Sequence, residues 1–119
     1  MRREDSPSTP RRGEIWLVDF GIPVGHEQDY RRPAVVVSAD RMNASRAGLV
    51  VVIPVTRTQR GLPSHVELDD EATGLREISY GKCENVKSVS TERLVHRIGQ
   101  APAAVLHRIT VILTMLIGK

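Results

Sequence analysis

The residues able to do chemistry in this sequence gather in three places. The first is a polar stretch from Gly21 to Arg32, which carries His26, Glu27, Gln28, Arg31 and Arg32. The second follows an aliphatic run and consists of Thr56, Arg57 and Arg60. The third is Glu84-Asn85 together with Lys87. A guanidinium stays charged and offers a planar fork of donors that fits phosphate oxygens. Arg32 stands where the polar stretch enters an apolar strand, which would hold it rigidly; on its own, such an arginine is more often half of a surface ion pair. Thr56 closes a second apolar strand with a hydroxyl to donate, although strand-end threonines commonly bond nearby backbone. His26 titrates near neutrality and could carry a proton, the plainer reading being an exposed loop histidine without a role. As RNA-binding candidates, Glu27, Gln28, Glu84 and Asn85 offer groups that hydrogen-bond to bases, and Arg31, Arg57, Arg60 and Lys87 offer charge for a phosphate backbone.

The charge distribution fits phosphate binding better than the total does. The net charge is +3 over 119 residues. Residues 1–12 hold four Arg against two acids, so the rest of the chain is nearly neutral. Within it, residues 31–60 carry six Arg against one Asp, whereas residues 67–77 carry five acids against one Arg. Other chemistries are poorly served. The single cysteine, Cys83, excludes an internal disulfide and a CxxC zinc site. His65, His96 and His107 lack ligand spacing and read as surface or satisfied histidines. Cys83 reads as a small hydrophobe in a strand. One Trp, one Phe and two Tyr cannot build a stacked row for single strands or the aromatic-lined groove of a peptide-binding module.

These groups need a scaffold. Residues 1–11 have no apolar periodicity and read as a disordered N-terminal tail, leaving 12–119 as one domain. Glu14–Phe20 reads as a first strand, and residues 21–32 as a loop of functional length. Pro33–Ser38 and Leu49–Thr56 are continuous apolar runs, as strands buried on both faces would be. Asp40 could cap a helical turn over 41–46. Pro54 lacks an N–H and needs a bulge or an edge. His65–Asp69 alternates as a half-exposed strand, Ala72-Thr73-Gly74 is a turn, and Ile78–Val89 makes one strand or two, broken at Gly81. Thr91–Leu94 reads as a helical turn and Val95–Gly99 as a closing strand. Pro102 opens a last helix whose stripe is Val105, Leu106, Ile109, Ile112, Leu113 and Leu116. Val111, Met115 and Ile117 widen that stripe, as in a helix packed on the core and on a partner, or one fully cradled. The expected class is mainly β with α: a compact, mostly antiparallel, barrel-like sheet with a C-terminal helix packed on it. The N-terminus lacks a signal peptide's apolar core, and the C-terminal apolar run, about 16 residues, falls short of a bilayer. A cytoplasmic protein is expected.

Several segments, in order, resemble the MazF/PemK family of toxin–antitoxin ribonucleases. They are Arg12-Gly13-Glu14-Ile15-Trp16, Gly25-His26-Glu27-Gln28, Arg32-Pro33 with its strand, Pro54-Val55-Thr56, and Glu84-Asn85-Val86-Lys87-Ser88. Arg93-Leu94, Ile98-Gly99 and the last helix also fit. The resemblance covers about residues 12–117. It implies an SH3-like barrel, a homodimer, and sequence-specific cleavage of single-stranded RNA, with messenger RNA first and transfer or ribosomal RNA as further candidates. It also implies inhibition by a cognate antitoxin protein and no cofactor or metal. Arg32 and Thr56 match the family's catalytic pair. His26 departs from the usual Ser and Asn85 from the usual Gln, and Arg57-Thr58-Gln59-Arg60 is more basic than is common. A gyrase poison on a related barrel, or a member that binds RNA or antitoxin and cuts weakly, are the competing readings.

RNA needs no metal for such cleavage, because its own 2′-hydroxyl attacks the adjacent phosphorus. The products carry a 2′,3′-cyclic phosphate and a 5′-hydroxyl. The site must take a proton from the 2′-oxygen, stabilise the phosphorane and protonate the leaving 5′-oxygen. Arginine suits the second task and is a poor base. If His26 carries a proton, His26→Ser changes the neutral limb of the pH–rate profile for RNA cleavage; superimposable profiles would remove His26 from the chemistry.

Overall fold

The computed structural model describes residues 9–21 and 30–118. Seven strands form among them. They are β1 (Glu14–Asp19), β2 (Arg31–Val36), β3 (Leu49–Thr56), β4 (His65–Leu68), β5 (Ser79–Lys82), β6 (Lys87–Ser90) and β7 (Leu94–Gln100). Two single-turn helices, α1 (Asp40–Asn43) and α2 (Asp70–Thr73), interrupt them, and α3 (Ala103–Ile117) ends the described chain. The sheet is antiparallel in the order β4-β5-β3-β2-β1-β7, with β6 also on β3.

β3 organises this sheet, and its apolar sequence allows burial on both faces. On one edge it pairs with β2, with Ala34 opposite Pro54 and Val36 opposite Val52. On the other it pairs with two strands in tandem: β6 along Leu49–Val52 and β5 at Val55-Thr56. Ile53 and Pro54 have no ladder partner on that edge. The Val51 carbonyl accepts from the Val37 N–H on the β2 side (2.9 Å). Alternation therefore turns the backbone of even-numbered β3 residues to the far edge. Pro54 thus presents its missing N–H to the gap, where nothing is lost. A 3-10 turn, Cys83–Asn85, fills that gap between β5 and β6. The expected break at Gly81 is therefore corrected to Cys83–Asn85, and Cys83 lies in this turn and not in a strand. Gly81 sits within the β4-β5-β3 ladders because a Cβ there would stand 2.9 Å from Ile53 Cδ1.

Alternation divides the apolar side chains into two clusters. Ile15, Val35, Ile53 and Val55 face one way and pack with Val66, Leu68, Cys83 and Ile109 of α3. Trp16, Val18, Ala34, Val36, Val50 and Val52 face the other. Each fully buried aliphatic side chain contributes about 1.5–3 kcal/mol. Val105, Ile112 and Leu113 join the first cluster, as the helical stripe predicts, whereas Leu116 is exposed with Val111, Met115 and Ile117. Pro102 caps α3 and is not its first residue. Asp40 begins α1 without capping it; its carboxylate accepts from the Arg12 N–H (2.6 Å) and pairs with Arg11 (3.0 Å). Arg12 in turn donates to Thr110 of α3 (2.6 Å), so residues assigned to the tail boundary tie the helix to the sheet.

The barrel does not close: no ladder joins β4 to β7 among the described residues. Instead α2 packs on β7 through a backbone contact. A Cβ at Gly99 would lie 1.8 Å from the Thr73 carbonyl oxygen, and one at Gly74 2.7 Å from that of Ile98. Gly74 also ends α2 at φ 84°, a left-handed cap that glycine adopts without strain. Gly99→Ala must push α2 off β7. The expected cost is about 3 kcal/mol, a fall in Tm on the order of 10 °C in a thermal melt; an unchanged Tm would refute the contact.

Candidate nucleic-acid interface

Extending the β2–β3 register two residues from Ala34 and Pro54 places Arg32 opposite Thr56. The recorded ladder ends at Ala34 and Pro54, and alternation from there puts Arg32 and Thr56 on the same face of the sheet. Both side chains lie on the face that carries Val18 and Ala34, beyond the edge of that cluster. Arg32 is exposed and makes no ion pair among the described residues. The Thr56 hydroxyl oxygen accepts from the Thr58 N–H (3.1 Å), which fixes its rotamer and leaves its proton free to donate. The two readings of Thr56, backbone partner and donor, are thus compatible.

Arg32 and Thr56 line two grooves at once, one on each side of the pair. The first, about 330 Å³, brings Arg60, Lys82, Asn85 and Lys87 to the pair, with Phe20 and Pro54 among its walls. Four cations face this groove, and no acid lines it among the described residues. The Lys87 ammonium lies 5.1 Å from the centre of the Phe20 ring. The second groove, about 620 Å³, is lined by Arg31, Arg57, Arg76, His96 and Arg97, with Glu77 as its acid. Here the cations are partly neutralised. Arg57 pairs with Glu77 (3.0 Å), Arg31 approaches Asp19 (3.9 Å), and Arg97 pairs with Glu14 (3.1 Å). The Arg57–Glu77 pair is exposed on both sides and holds little energy, so an anion can replace its carboxylate, whereas Glu14 is largely buried and also accepts from Trp16 and the Arg11 N–H.

The structure therefore brings Arg31, Arg32, Thr56, Arg57, Arg60, Asn85 and Lys87 to one surface. His26, Glu27 and Gln28 lie outside the described residues. Glu84 lines neither groove: its carboxylate accepts from Ser64 (2.7 Å) and His65 (2.9 Å). Burial opposes ionisation of Glu84, but the bonds from Ser64, His65 and backbone outweigh it and hold the carboxyl below its usual 4.5. Burial, reinforced by the neighbouring Glu84 charge, pushes the Cys83 thiol up to about 11 and leaves it inert. Sequence reasoning passed over Lys82, Arg76 and His96. Lys82 ends β5 beside the Pro54 gap, and His96 is the imidazole that faces the second groove; only the sheet order brings them to Arg32. Among the described residues no group of three His, Cys, Asp or Glu could hold a metal ion, and no helix is long and apolar enough to cross a membrane.

The fold is thus a small antiparallel sheet with a terminal helix that presents an arginine–threonine pair between two cationic grooves. Comparison with known proteins makes this specific. A model of the PemK-like, MazF-like toxins of type II toxin–antitoxin systems matches residues 11–117, and the chain belongs to that family. It is 42% identical over 99 residues to Endoribonuclease MazF9 of Mycobacterium tuberculosis (strain ATCC 25618 / H37Rv), covering 79% of this chain and 84% of the relative. Its fold matches a crystal structure of MazF from Deinococcus radiodurans with a TM-score of 0.76 at 30% identity, over 93% of this chain and 98% of that one. It also matches a MazE-MazF crystal structure from the same organism with a TM-score of 0.77 at 30% identity, over 92% and 96%.

Because Glu84 is more acidic folded than unfolded, its stabilisation is full above the ordinary carboxyl value and is lost as pH falls through its folded pKa. Urea midpoints measured from pH 6 down to below 4.5 should fall less steeply in Glu84→Gln than in the wild type; parallel curves would show that the carboxylate bonds add nothing.

Proposed function

We propose that this chain is a sequence-specific endoribonuclease toxin that cuts single-stranded RNA and is neutralised by a cognate antitoxin. The observation that carries the reading is that Arg32 and Thr56 both line each of the two cationic grooves, on the ridge between them. A strand crossing the ridge has backbone contacts on both sides and one phosphate on the pair. In this reading the 2′-oxygen of the upstream ribose attacks that phosphorus, the P–O5′ bond breaks, and a 2′,3′-cyclic phosphate forms. The guanidinium fork and the threonine hydroxyl stabilise the charge that develops on the phosphoryl oxygens. The proton leaves the 2′-oxygen and another reaches the 5′-oxygen; His26 and His96 are the imidazoles suited to these transfers.

Arg31, Arg57, Arg60 and Lys87 hold backbone phosphates in this proposal, while Asn85, with Glu27 and Gln28, reads bases. The relatives' names support the activity, since MazF9 and Bacillus subtilis EndoA, 30% identical over 89 residues, are both called endoribonucleases. The MazE-MazF structures support a protein antitoxin, whose acidic segment would compete with RNA for the same cations. Messenger RNA is the first substrate class, a homodimer the working form and the cytoplasm the compartment.

Purified protein is incubated in excess EDTA with a long, weakly structured RNA, beside Arg32→Ala. The wild type should cut at a short recurring sequence and leave cyclic-phosphate ends. Arg32→Ala should be about 10²–10³-fold slower, the usual cost of one transition-state donor. A folded wild type that leaves all RNAs intact, or cuts equally in the variant, would overturn the proposal.

A further inference from the structure

Glu84 sits in the segment of the chain that reaches the smaller groove, yet both its carboxylate oxygens are used behind it. Ser64 donates its hydroxyl to Oε1 at 2.7 Å and His65 Nε2 stands 2.9 Å from Oε2. An ionised carboxylate can only accept, so His65 Nε2 is the donor of this bond. The His65 side chain is 3% exposed, and Nδ1 is buried without a partner among the described residues. A buried polar atom with no partner is unusual in a native fold and calls for a reason. The bond that the other nitrogen makes to Glu84 supplies one.

The 3-10 turn Cys83–Asn85 lies where the β3 edge has no ladder, beside Pro54, so no strand pairing fixes it. Core packing of the buried Cys83 anchors the turn's first residue, and the start of β4 adds hydrogen bonds to it. The Cys83 N–H donates to the Ser64 carbonyl (3.1 Å), and the two side-chain bonds to Glu84 follow directly. The residue after Glu84 is Asn85, which lines the groove with Arg32 and Thr56. An amide tells one base edge from another only if its orientation is held.

We propose that Ser64, His65 and Glu84 form a positioning device that locks the Cys83–Asn85 turn, so that they set which base Asn85 accepts without touching RNA themselves. The proposal rests on the RNA reading of the groove and deepens it. Binding is measured to a panel of uncleavable 2′-fluoro oligonucleotides with every base at each position, for the wild type, Glu84→Gln, Asn85→Ala and the double variant. The wild type should prefer one base at one position by about tenfold or more. Glu84→Gln should lose most of that preference with little change for the other bases. In the Asn85→Ala background it should change the preference by less than about twofold, because the two act through one contact. In parallel, amide exchange at Cys83 and Val86 should quicken about tenfold in His65→Leu while Ile109 stays protected; Ser64→Ala, which removes one bond, replaces His65→Leu if that variant does not fold.

A uniform loss of affinity at all sequences would make the cluster merely structural and overturn the proposal. So would multiplying effects in the double variant, or a wild type without base preference. A wild type that binds selectively but does not cut natural RNA would sink the nuclease reading and leave this one standing.

Discussion

The two edges of β3 carry the organisation of this protein. One edge is taken by β2 and the Val37-Ser38 segment that follows it; the other is shared between β5 and β6, with a gap at Ile53 and Pro54. A backbone group buried without a partner is costly, and the chain meets that constraint by placing a residue with no N–H at the gap. The consequence is functional. Because the ladder stops there, a turn and not a strand lies beside Arg32 and Thr56, and a turn can aim side chains at a groove. The apolar clusters on either face then fix β2 and β3 against each other, and Arg32 and Thr56 inherit their placement from that packing.

Electrostatics acts on this frame by exclusion. Arginine and lysine cannot enter the valine- and isoleucine-rich clusters, so they collect where the strands run out of apolar residues. Acids reach one side of the ridge: Glu14, Asp19 and Glu77 pair with Arg97, Arg31 and Arg57. On the other side Arg32, Arg60, Lys82 and Lys87 line a groove without an acid among its described residues. One groove is therefore masked by carboxylate partners and the other is a standing field for anions.

The open side of the sheet shows how closely a fold can be finished by backbone alone. A closed barrel would need a ladder between β4 and β7. Here α2 approaches β7 so tightly that only glycine fits at 99 and only a left-handed glycine at 74. A sequence pattern marks Gly74 as a turn and Gly99 as the end of a strand; it cannot mark their mutual contact, which is 25 residues apart in the chain and set by packing.

The sequence by itself determined the element types, because apolar period and turn chemistry are local properties. The β3 run, the β4 alternation, the α3 stripe and the turn before β7 all follow from it. Linear order also carried Arg32 and Thr56, each at the boundary between an apolar run and a polar one, where a held and exposed side chain must lie. Only the tertiary structure decided which boundaries meet. Register put Arg32 opposite Thr56, the tandem pairing of β5 and β6 moved the break from Gly81 to Cys83–Asn85, and sheet order brought in Lys82 and His96. It also turned Glu84 from the groove to Ser64 and His65. The physical reason is the same in each case: contacts between strands depend on pairing choices that no single segment encodes, since each segment satisfies its own burial pattern equally well with several partners.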